Sequence, residues 1–347
     1  MLLSVLIPTF NRHKFLSKSL KFLVNEYEAL DDNERKQIEI IISDNSDNNL
    51  SKDLVTSFFQ NKLPLKYFKN EVNLAVDENL KKLFKYASGK FIIFIADDDH
   101  VINFSIKPLL NLLKVENKVD VAYLKTLSYS DDEDFYPQNN FKIHGKFLDL
   151  YSFVKNLNIN LTFMSSFIIK KELISLNQDN INELTFFIFL VSALKSKADP
   201  KLFITKNYVI RAKRNNAAMH FNQDGSLVSG YREAPLKDIY IDKFLQVMSS
   251  NFDPQLFSDL KKRIFFRFYL HEIYRRDLFN DPNLKIALDT HYHNYAWYRF
   301  LSFFIYSRKK YNRIIVLFLS IAYRSLHGEF KKVFLRAYGI YKRKFRG

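Results

Sequence analysis

Apolar and polar positions in the first half of the chain alternate between two patterns. Short apolar runs at residues 2–10, 38–42, 65–68, 91–96 and 119–124 predict buried strands. Between them, apolar residues recur every three or four positions over residues 15–23, 76–87 and 106–113, which predicts helices. Gly89 is expected to close the second of these helices as a C-cap. Strands that alternate with helices favour an α/β fold with a mostly parallel sheet and flanking helices.

The pattern is weaker beyond residue 130. We expect a polar loop at 130–140, a strand at 165–171, a helix at 183–194 and a second polar loop at 211–226. From residue 231 onward the pattern is helical, with many aromatic residues. These shifts predict an α/β domain at residues 1–230 and a helical, basic, aromatic-rich region at residues 231–347.

Polar clusters follow three of the predicted strands. They comprise residues 9–12, 44–46 and 97–99. In parallel α/β sheets, ligands bind beyond the carboxyl ends of the strands, so the three clusters are expected to meet in one crevice.

The third cluster, Asp97, Asp98 and Asp99, indicates a particular chemistry. Adjacent carboxylates repel one another, and the repulsion raises their pKa values unless a cation lies among them. Divalent Mg²⁺ and Mn²⁺ prefer oxygen ligands and are often shared between a few carboxylates and substrate phosphates. The cluster therefore predicts Mn²⁺ or Mg²⁺ as a cofactor that stabilises the charge of a departing diphosphate. A solvated acidic turn is the alternative.

Four motifs, in order over residues 2–126, resemble those of glycosyltransferase family 2. The family's P-T-[FY]-N-R is matched by residues 8–12, and its D-D-x-S-x-D by Asp44 and Ser46, with Ser43 and Asn48 in the outer acidic positions. A segment like N-x-G-x-x-x-A-R-N keeps its first asparagine in residues 73–81, although NLK stands there for Ala-Arg-Asn. The pattern A-x-G-x-[YF]-[IV]-x-[FL]-x-x-D-x-D is met by residues 87–99.

The resemblance implies a GT-A fold, which is Rossmann-like, and a nucleotide-sugar donor, most commonly a UDP-sugar. It implies that Thr9 and Asp44 hold the nucleoside base, that Asp98 lies near the ribose and phosphates, and that Asp99 and Asp97 are metal ligands. It also assigns Pro8, Asn11, Arg12, Ser46 and Asn79 to the donor site, and Asp97 to both the donor and the metal. The loss of the family's arginine, replaced here by Leu80, argues against a phosphate contact from that position.

Members of this family invert the anomeric configuration, so the resemblance implies direct displacement, with a carboxylate that deprotonates the acceptor hydroxyl. Glu183, at a predicted helix start, and Asp179 are the candidates for this base, although an acid in a first helical turn is also favoured by the helix dipole. His220 is a candidate for completing the metal site, because neutral imidazole is a good ligand. Arg211 and Arg214 are candidates for clamping a diphosphate or an anionic acceptor, with ordinary surface charge as the alternative.

Positive charge is concentrated at the end of the chain. Of the formal net charge of +16, residues 299–347 contribute +12, from 13 Lys and Arg against one acid. The apolar stretches 295–306 and 313–326 lie there, but each is too short to cross a bilayer, which needs about 20 residues. Aromatic and basic residues at helical spacing predict peripheral contact with the inner membrane. A core-packed hairpin, or burial against a second subunit of a homo-oligomer, is the alternative.

The composition and the start of the chain exclude several kinds of site and one kind of protein. The chain has no Cys, which excludes disulfides, thiolate metal sites and cysteine nucleophiles. The first apolar run has no basic leader and passes straight into a turn, which predicts a cytoplasmic protein rather than a secreted one. With the basic tail, this predicts an enzyme on the cytoplasmic face of the inner membrane.

We therefore predict transfer of a single sugar to a glycan or lipid-linked glycan acceptor, in lipopolysaccharide, lipooligosaccharide or capsule biosynthesis. The Q-x-x-R-W signature and long apolar spans of processive synthases are absent. A metal-dependent nucleotidyltransferase is disfavoured because residues 8–12 contain no glycine for a phosphate loop. The basic residues of a nucleic-acid-binding protein should be spread along a binding face, whereas here they are concentrated at the end of the chain. A nucleic-acid-binding protein is therefore disfavoured, and no nucleic-acid partner is expected. The retained carboxylates argue against an inactive scaffold.

Overall fold

The computed structural model describes most of the first two thirds of the chain. The described residues are 1–115, 118–129, 136–137, 145–175, 184–213, 220–221, 227–228 and 234–264, with Tyr292, Asn294 and Tyr298. The chain separates into two compact units, Met1–Asn216 and Ala217–Gly347. The functional division expected at residue 231 stays a prediction.

The first unit is built on one sheet. Its strands are β1 Leu3–Thr9, β2 Ile38–Asp44, β3 Leu65–Lys69, β4 Phe91–Phe94, β5 His100–Val101, β6 Val121–Tyr129, β7 Tyr136–Pro137, β8 Lys146–Leu148, β9 Phe167–Lys170 and β10 Leu202–Lys213. In the described part of the chain the order is β3-β2-β1-β4-β9-β6-β10-β5, with β7 beside β6 and β8 beside β10.

The sheet is parallel at one side and mixed at the other. Strands β1 to β4 pair in parallel. Strand β9 enters antiparallel between β4 and β6, and β10 then runs parallel to β6. The predicted α/β class with a Rossmann-like sheet is confirmed, and β9 makes the sheet a mixed one.

Strands β1 and β2 are buried along almost their whole length, so both of their faces are covered, which is why they read as nearly continuous apolar runs. The helices of the first unit are α1 His13–Glu28, α2 Asp32–Arg35, α3 Leu50–Leu54, α4 Val76–Tyr86, α5 Ile106–Lys114, α6 Leu150–Leu157 and α7 Thr185–Lys195. A π-helical turn, Val55–Phe59, extends α3. Helix α1 buries Leu16, Leu20 and Leu23 at helical spacing. Helix α7 is buried along most of its length, and its Phe189 ring lies 5.1 Å from that of Phe84 on α4.

Two local expectations were wrong. Helix α4 ends at Ala87 in an extended conformation, so Gly89 is not its C-cap. A Cβ at Gly89 would instead lie 2.7 Å from the Ser4 amide nitrogen, so the glycine is required by close packing against β1. The polar loop expected at 211–226 is also wrong in part, because residues 211–213 complete β10 and His220–Phe221 form a short strand.

The second unit contains the helices α8 Ala234–Asn251 and α9 Pro254–Ile264 and the short paired strands β11 His220–Phe221 and β12 Leu227–Val228. The helical pattern expected beyond residue 231 is confirmed for these two helices. Apart from Tyr298, the apolar stretches 295–306 and 313–326 lie outside the described residues. Among the helices that the structure describes, none is long and apolar enough to cross a membrane.

Candidate active site

The three polar clusters meet at the carboxyl edge of β1, β2 and β4, as expected. Thr9 and Asp44 are partners in the β1–β2 register, and the Asn45 amide donates to the Thr9 carbonyl over 2.9 Å. The Thr9 hydroxyl donates to Oδ2 of Asp97 over 2.7 Å. One threonine at the end of β1 therefore links the first cluster to both of the others.

Arg12 is the counter-ion of the aspartate cluster. Asn11 has φ of 51°, a left-handed conformation that asparagine adopts more readily than most residues. Just after this turn, Nη1 of Arg12 lies 3.0 Å from Oδ1 of Asp97, and Nη2 lies 2.5 Å from Oδ2 of Asp98. The guanidinium also lies over the ring of Phe15, 4.9 Å from its centroid. Two of the three carboxylates thus share one counter-ion, whose single charge can balance only one of them.

The cluster still favours a bound proton or cation. Asp97 and Asp99 are each only 3% exposed. Burial raises the pKa of Asp97 to about 7, although the charge of Arg12 opposes the rise. Burial and the nearby charge of Asp98 raise the pKa of Asp99 to about 8. Removing these carboxylates from water disfavours their charged forms, so a cation that reached them would be held strongly.

Asp99 has the carboxylate oxygen best placed for a metal ion. Its Oδ1 accepts the backbone amide of Lys213 over 3.1 Å, whereas its buried Oδ2 makes no hydrogen bond of normal geometry among the described residues. The hydroxyl of Ser165 is nevertheless close enough to the Asp99 carboxylate to oppose the rise of its pKa. Both oxygens of Asp97 are already engaged by Thr9 and Arg12. Within the described chain, no group of three or more His, Cys, Asp or Glu side chains is arranged to hold a metal ion.

This arrangement fits Mn²⁺ or Mg²⁺ bound together with a substrate. Mg²⁺ usually takes one or two carboxylates and completes its shell with water and phosphate oxygens. Asp99 would supply the first carboxylate. Asp97, the second predicted ligand, would first have to exchange its contact with Arg12.

The predicted base-binding residue, Asp44, is enclosed. Its side chain is fully buried, and Oδ1 accepts both the amide of Ser46, over 2.8 Å, and the Ser46 hydroxyl. The Asn11 amide donates to that same hydroxyl oxygen over 2.8 Å. The hydroxyl of Tyr67, on β3, donates to Oδ2 of Asp44. Ser46 thus joins the first and second clusters, and Tyr67 is a neighbour that the sequence pattern did not indicate.

Asn79 takes part in a network of buried amides. Its Nδ2 donates to the Ser43 carbonyl over 3.3 Å, and its Oδ1 accepts from Asn70 over 3.1 Å. Asn70 also donates to Oδ1 of Asn45 over 2.6 Å. The side chain of Asn79 therefore holds α4 to the ends of β2 and β3. Asn70 directly follows β3, just as the other polar clusters follow β1 and β2. That position could have identified it from the sequence.

Of the other predicted residues, Pro8 and Arg211 lie in strands next to the clusters, Arg211 opposite His100 in the β10–β5 register, and the rest lie in the second unit or outside the described chain. Pro8 lies in β1 opposite Ser43. Arg211 lies in β10 with its guanidinium 5.7 Å from the centroid of the Phe22 ring. His220 lies in β11, in the second unit, and only its backbone is described. Asp179, Glu183 and Arg214 lie outside the described residues.

Lys213 and His100 were not predicted for this region. Lys213, whose backbone amide donates to Asp99, also places its side-chain ammonium 4.3 Å from the centroid of the Phe15 ring. His100 is buried and stacked on Phe22 with ring centroids 4.8 Å apart, and burial lowers its pKa to about 4. His100 is therefore neutral at pH 7 beside the acidic cluster.

Comparison with known proteins agrees with this geometry. Residues 4–175 match the family model of glycosyl transferase family 2. The chain is 31% identical over 109 residues to a GalNAc(5)-diNAcBac-PP-undecaprenol beta-1,3-glucosyltransferase of Campylobacter jejuni, covering 31% of this chain and 33% of that protein. It is 26% identical over 185 residues to the abequosyltransferase RfbV of Salmonella typhimurium, covering 50% of this chain and 54% of that protein. The matches thus span a third to about half of these relatives.

The fold is also that of a solved structure. The chain resembles residues 1–349 of Staphylococcus aureus TarS in complex with UDP-GlcNAc, with a TM-score of 0.59 and 17% identity, covering 84% of this chain and 80% of that one. This likeness agrees with the GT-A fold expected from the motifs.

Proposed function

The chain belongs to glycosyl transferase family 2 through residues 4–175, and from this premise we propose that it transfers one sugar from a nucleotide-diphosphate sugar to a glycan acceptor, with inversion at the anomeric carbon. The observation that carries the proposal is the meeting of Thr9, Arg12 and the aspartates 97–99 at one sheet edge. Ligands of α/β sheets bind at such an edge.

The proposed reaction is a single displacement. The acceptor hydroxyl oxygen forms a bond to the anomeric carbon as the bond from that carbon to the diphosphate oxygen breaks. A carboxylate takes the hydroxyl proton. We propose Glu183 for this role, with Asp179 as the second candidate.

A divalent cation held by Asp99 would supply Lewis-acid stabilisation of the diphosphate charge. Arg12 holds Asp97 and Asp98 in place through its two ion pairs, and Thr9 fixes the orientation of Asp97. Burial of this cluster strengthens every electrostatic contact made within it.

We propose that the acceptor is a lipid-linked glycan of a bacterial surface polysaccharide, such as lipopolysaccharide, lipooligosaccharide or capsule. The names of the two curated relatives support this: one includes an undecaprenol-linked glycan, and the other is an abequosyltransferase. The basic residues of 299–347 support peripheral contact with the cytoplasmic face of the inner membrane.

The test is calorimetric titration of the full chain with UDP, GDP, CDP, ADP and dTDP, with and without Mn²⁺. We expect metal-dependent binding of at least one nucleotide. Asp99→Ala should weaken it by at least about tenfold, which corresponds to about 1.4 kcal/mol. Asp199→Ala is the matched control, because Asp199 is exposed and its ion pair with Lys201 lies at the surface. Wild-type protein that bound none of the five nucleotides would refute the proposal.

A further inference from the structure

The exposed face of helix α1 is basic. Its exposed positions recur every three or four residues, so they form one row along the helix: Lys14, Lys18, Lys21, Asn25 and Glu28. The three lysines, called here the lysine stripe, span about 10 Å at the rise of an α-helix. Residues 14–21 contain no acid, so the stripe is an uninterrupted row of positive charge.

The stability of α1 does not account for this placement of charge. The N-terminus of a helix carries a partial positive charge, so a lysine near it is unfavourable. Helix α1 nevertheless has Lys14 in its first turn and no basic residue in its last turn. Helix α4 shows the favoured order, with Asp77 and Glu78 in the first turn and Lys85 in the last. The lysine stripe therefore favours an anionic partner outside the helix.

Aromatic rings and two further cations lie beside the stripe. Phe15 and Phe22 are half-buried on α1, and each is one helical turn from Lys18. The ammonium of Lys213 lies 4.3 Å from the centroid of the Phe15 ring. The guanidinium of Arg211 lies 5.7 Å from that of the Phe22 ring. Basic and aromatic side chains side by side suit the interface between lipid headgroups and water.

Phe104 adds an exposed ring near the end of the same helix. It is 76% exposed, and its φ of 63° is a left-handed conformation that is unfavourable for phenylalanine. The buried carboxylate of Glu26, on α1, holds this backbone by accepting the amide of Phe104 and, over 2.9 and 2.8 Å, those of residues 105 and 106. A large apolar ring that is exposed and held in this way is not explained by packing of the core.

We propose that the lysine stripe and Phe104, together called the docking face, bind an anionic lipid bilayer. Lipid phosphates attract each lysine near the membrane surface, and the Phe104 ring enters the boundary between headgroups and acyl chains. A straight row of three lysines fits a surface of many phosphates better than one anionic group of a soluble ligand. The proposed function places membrane contact in residues 299–347, whereas the docking face belongs to the first unit.

Helix α1 also joins the docking face to the active site. The hydroxyl of Ser19, next in sequence to Lys18, donates to the backbone carbonyl of Asp99 over 2.9 Å. A docked α1 therefore holds the aspartate turn close to the bilayer, where a lipid-linked acceptor lies. This consequence rests on the proposed function, but the docking itself does not.

The first experiment measures co-sedimentation of the full chain with vesicles of phosphatidylcholine, with and without phosphatidylglycerol. The triple variant Lys14→Gln, Lys18→Gln and Lys21→Gln should bind the anionic vesicles at least about tenfold more weakly than the wild type. The matched control is the triple variant Lys85→Gln, Lys90→Gln and Lys195→Gln, which loses the same charge from three other exposed lysines of the first unit. It should bind as the wild type does.

A second measurement separates the docking face from the basic end of the chain. The chain has no Cys, so one introduced cysteine can be labelled uniquely with a dye that responds to polarity. The label is placed by Asn25→Cys, in the exposed row of α1, or by Ala198→Cys, an exposed position after α7. On anionic vesicles, the emission of the first dye should move to shorter wavelength, and that of the second should not change.

The outcomes separate this proposal from the proposed function. Two triple variants that bind anionic vesicles equally well, or a dye at position 25 that does not respond when the protein binds them, overturn the docking face. Loss of binding to soluble polyphosphate in the stripe variant, with vesicle binding kept, assigns the stripe to an anionic polymer and also overturns it. Metal-dependent nucleotide binding in solution should be the same in the stripe variant and the wild type, so the donor site is tested separately.

Discussion

The carboxylate of Asp77 accepts a 2.7 Å hydrogen bond from the backbone amide of Thr185, the first residue of α7. The first amides of a helix have no partner inside it, so Asp77 acts as a cap from another helix. Leu184, just before α7, is held at φ 61° and ψ 35°, a left-handed conformation that is unfavourable for leucine. The contact therefore fixes the start of α7 to the first turn of α4.

We expect Asp77→Ala to lower the free energy of unfolding by about 1–2 kcal/mol, the usual cost of losing a capping carboxylate. Asp77→Asn should retain most of the stability, because its amide oxygen can still accept from Thr185. Glu78→Ala is the control, since Glu78 is exposed and pairs with Lys81 in a surface contact of small value. Urea denaturation measures all three, and equal effects of the two alanine variants would contradict the capping role.

Arg12→Ala should alter the response of the protein to Mn²⁺. Removing the guanidinium leaves two buried carboxylates without their counter-ion, so the variant should be less stable without metal by about 2–4 kcal/mol. Metal that binds only the folded state raises stability by mass action. Millimolar Mn²⁺ should therefore raise the melting temperature of the variant more than that of the wild type. An equal rise in both proteins would argue that Mn²⁺ does not bind at this cluster.

Gly89→Ala should destabilise the fold without touching the site. The added Cβ would lie 2.6 Å from the Ser4 hydroxyl and 2.9 Å from the Leu3 carbonyl carbon, and the backbone of a central strand cannot move away. Overpacking of this kind costs about 1–3 kcal/mol. Thermal unfolding should show it, with the exposed neighbouring change Lys90→Ala as a control near zero. A Gly89→Ala variant of wild-type stability would contradict the packing argument.

Glu39 gives the protein an acid-sensitive contribution to stability. Burial disfavours its charge, but the Lys66 ammonium and the hydroxyls of Ser4 and Ser88 outweigh burial and lower its pKa to about 2 from an ordinary value of 4.5. A lowered pKa in the folded state means that the contribution is fully present above pH 4.5 and is lost as the pH falls toward 2.

Glu39→Gln should therefore be less stable than the wild type at pH 7, by about 2 kcal/mol. The difference should shrink as the pH falls from 4.5 toward 2. Chemical denaturation at pH 7, 4 and 2.5 measures it, and a difference that is independent of pH would show that the charge of Glu39 is not responsible.

The sequence predicted the parallel part of the sheet because the relevant signals are local. Residues 3–9 and 38–44 are apolar runs that end in polar turns, so both the strands and the meeting of Thr9 with the aspartate cluster follow from pattern alone. Strand β10 was missed because Thr205, Lys206 and Asn207 interrupt its apolar pattern, at a shift in its register with β6.

Other features depend on contacts between distant segments. Nothing local shows that β9 runs antiparallel between β4 and β6. Tyr67 appears in the sequence as an ordinary residue of a short strand, and only the alignment of β3 beside β2 brings its hydroxyl to Asp44. The role of Asp77 likewise depends on the packing of α7, which follows it by about a hundred residues.

The late insertion of β9 and β10 has a consequence for how the enzyme is made. During synthesis from the N-terminus, β1, β2, β3 and β4 emerge first, and these four strands are neighbours in the finished sheet. The carboxylate of Asp99, however, acquires its bond to the Lys213 amide only when β10 has been made. The ribosome adds about 5–20 residues per second, and domains fold as the chain emerges from it. A nascent chain therefore carries its aspartate turn for several seconds before that bond can form, and the last strand to join the site also completes it.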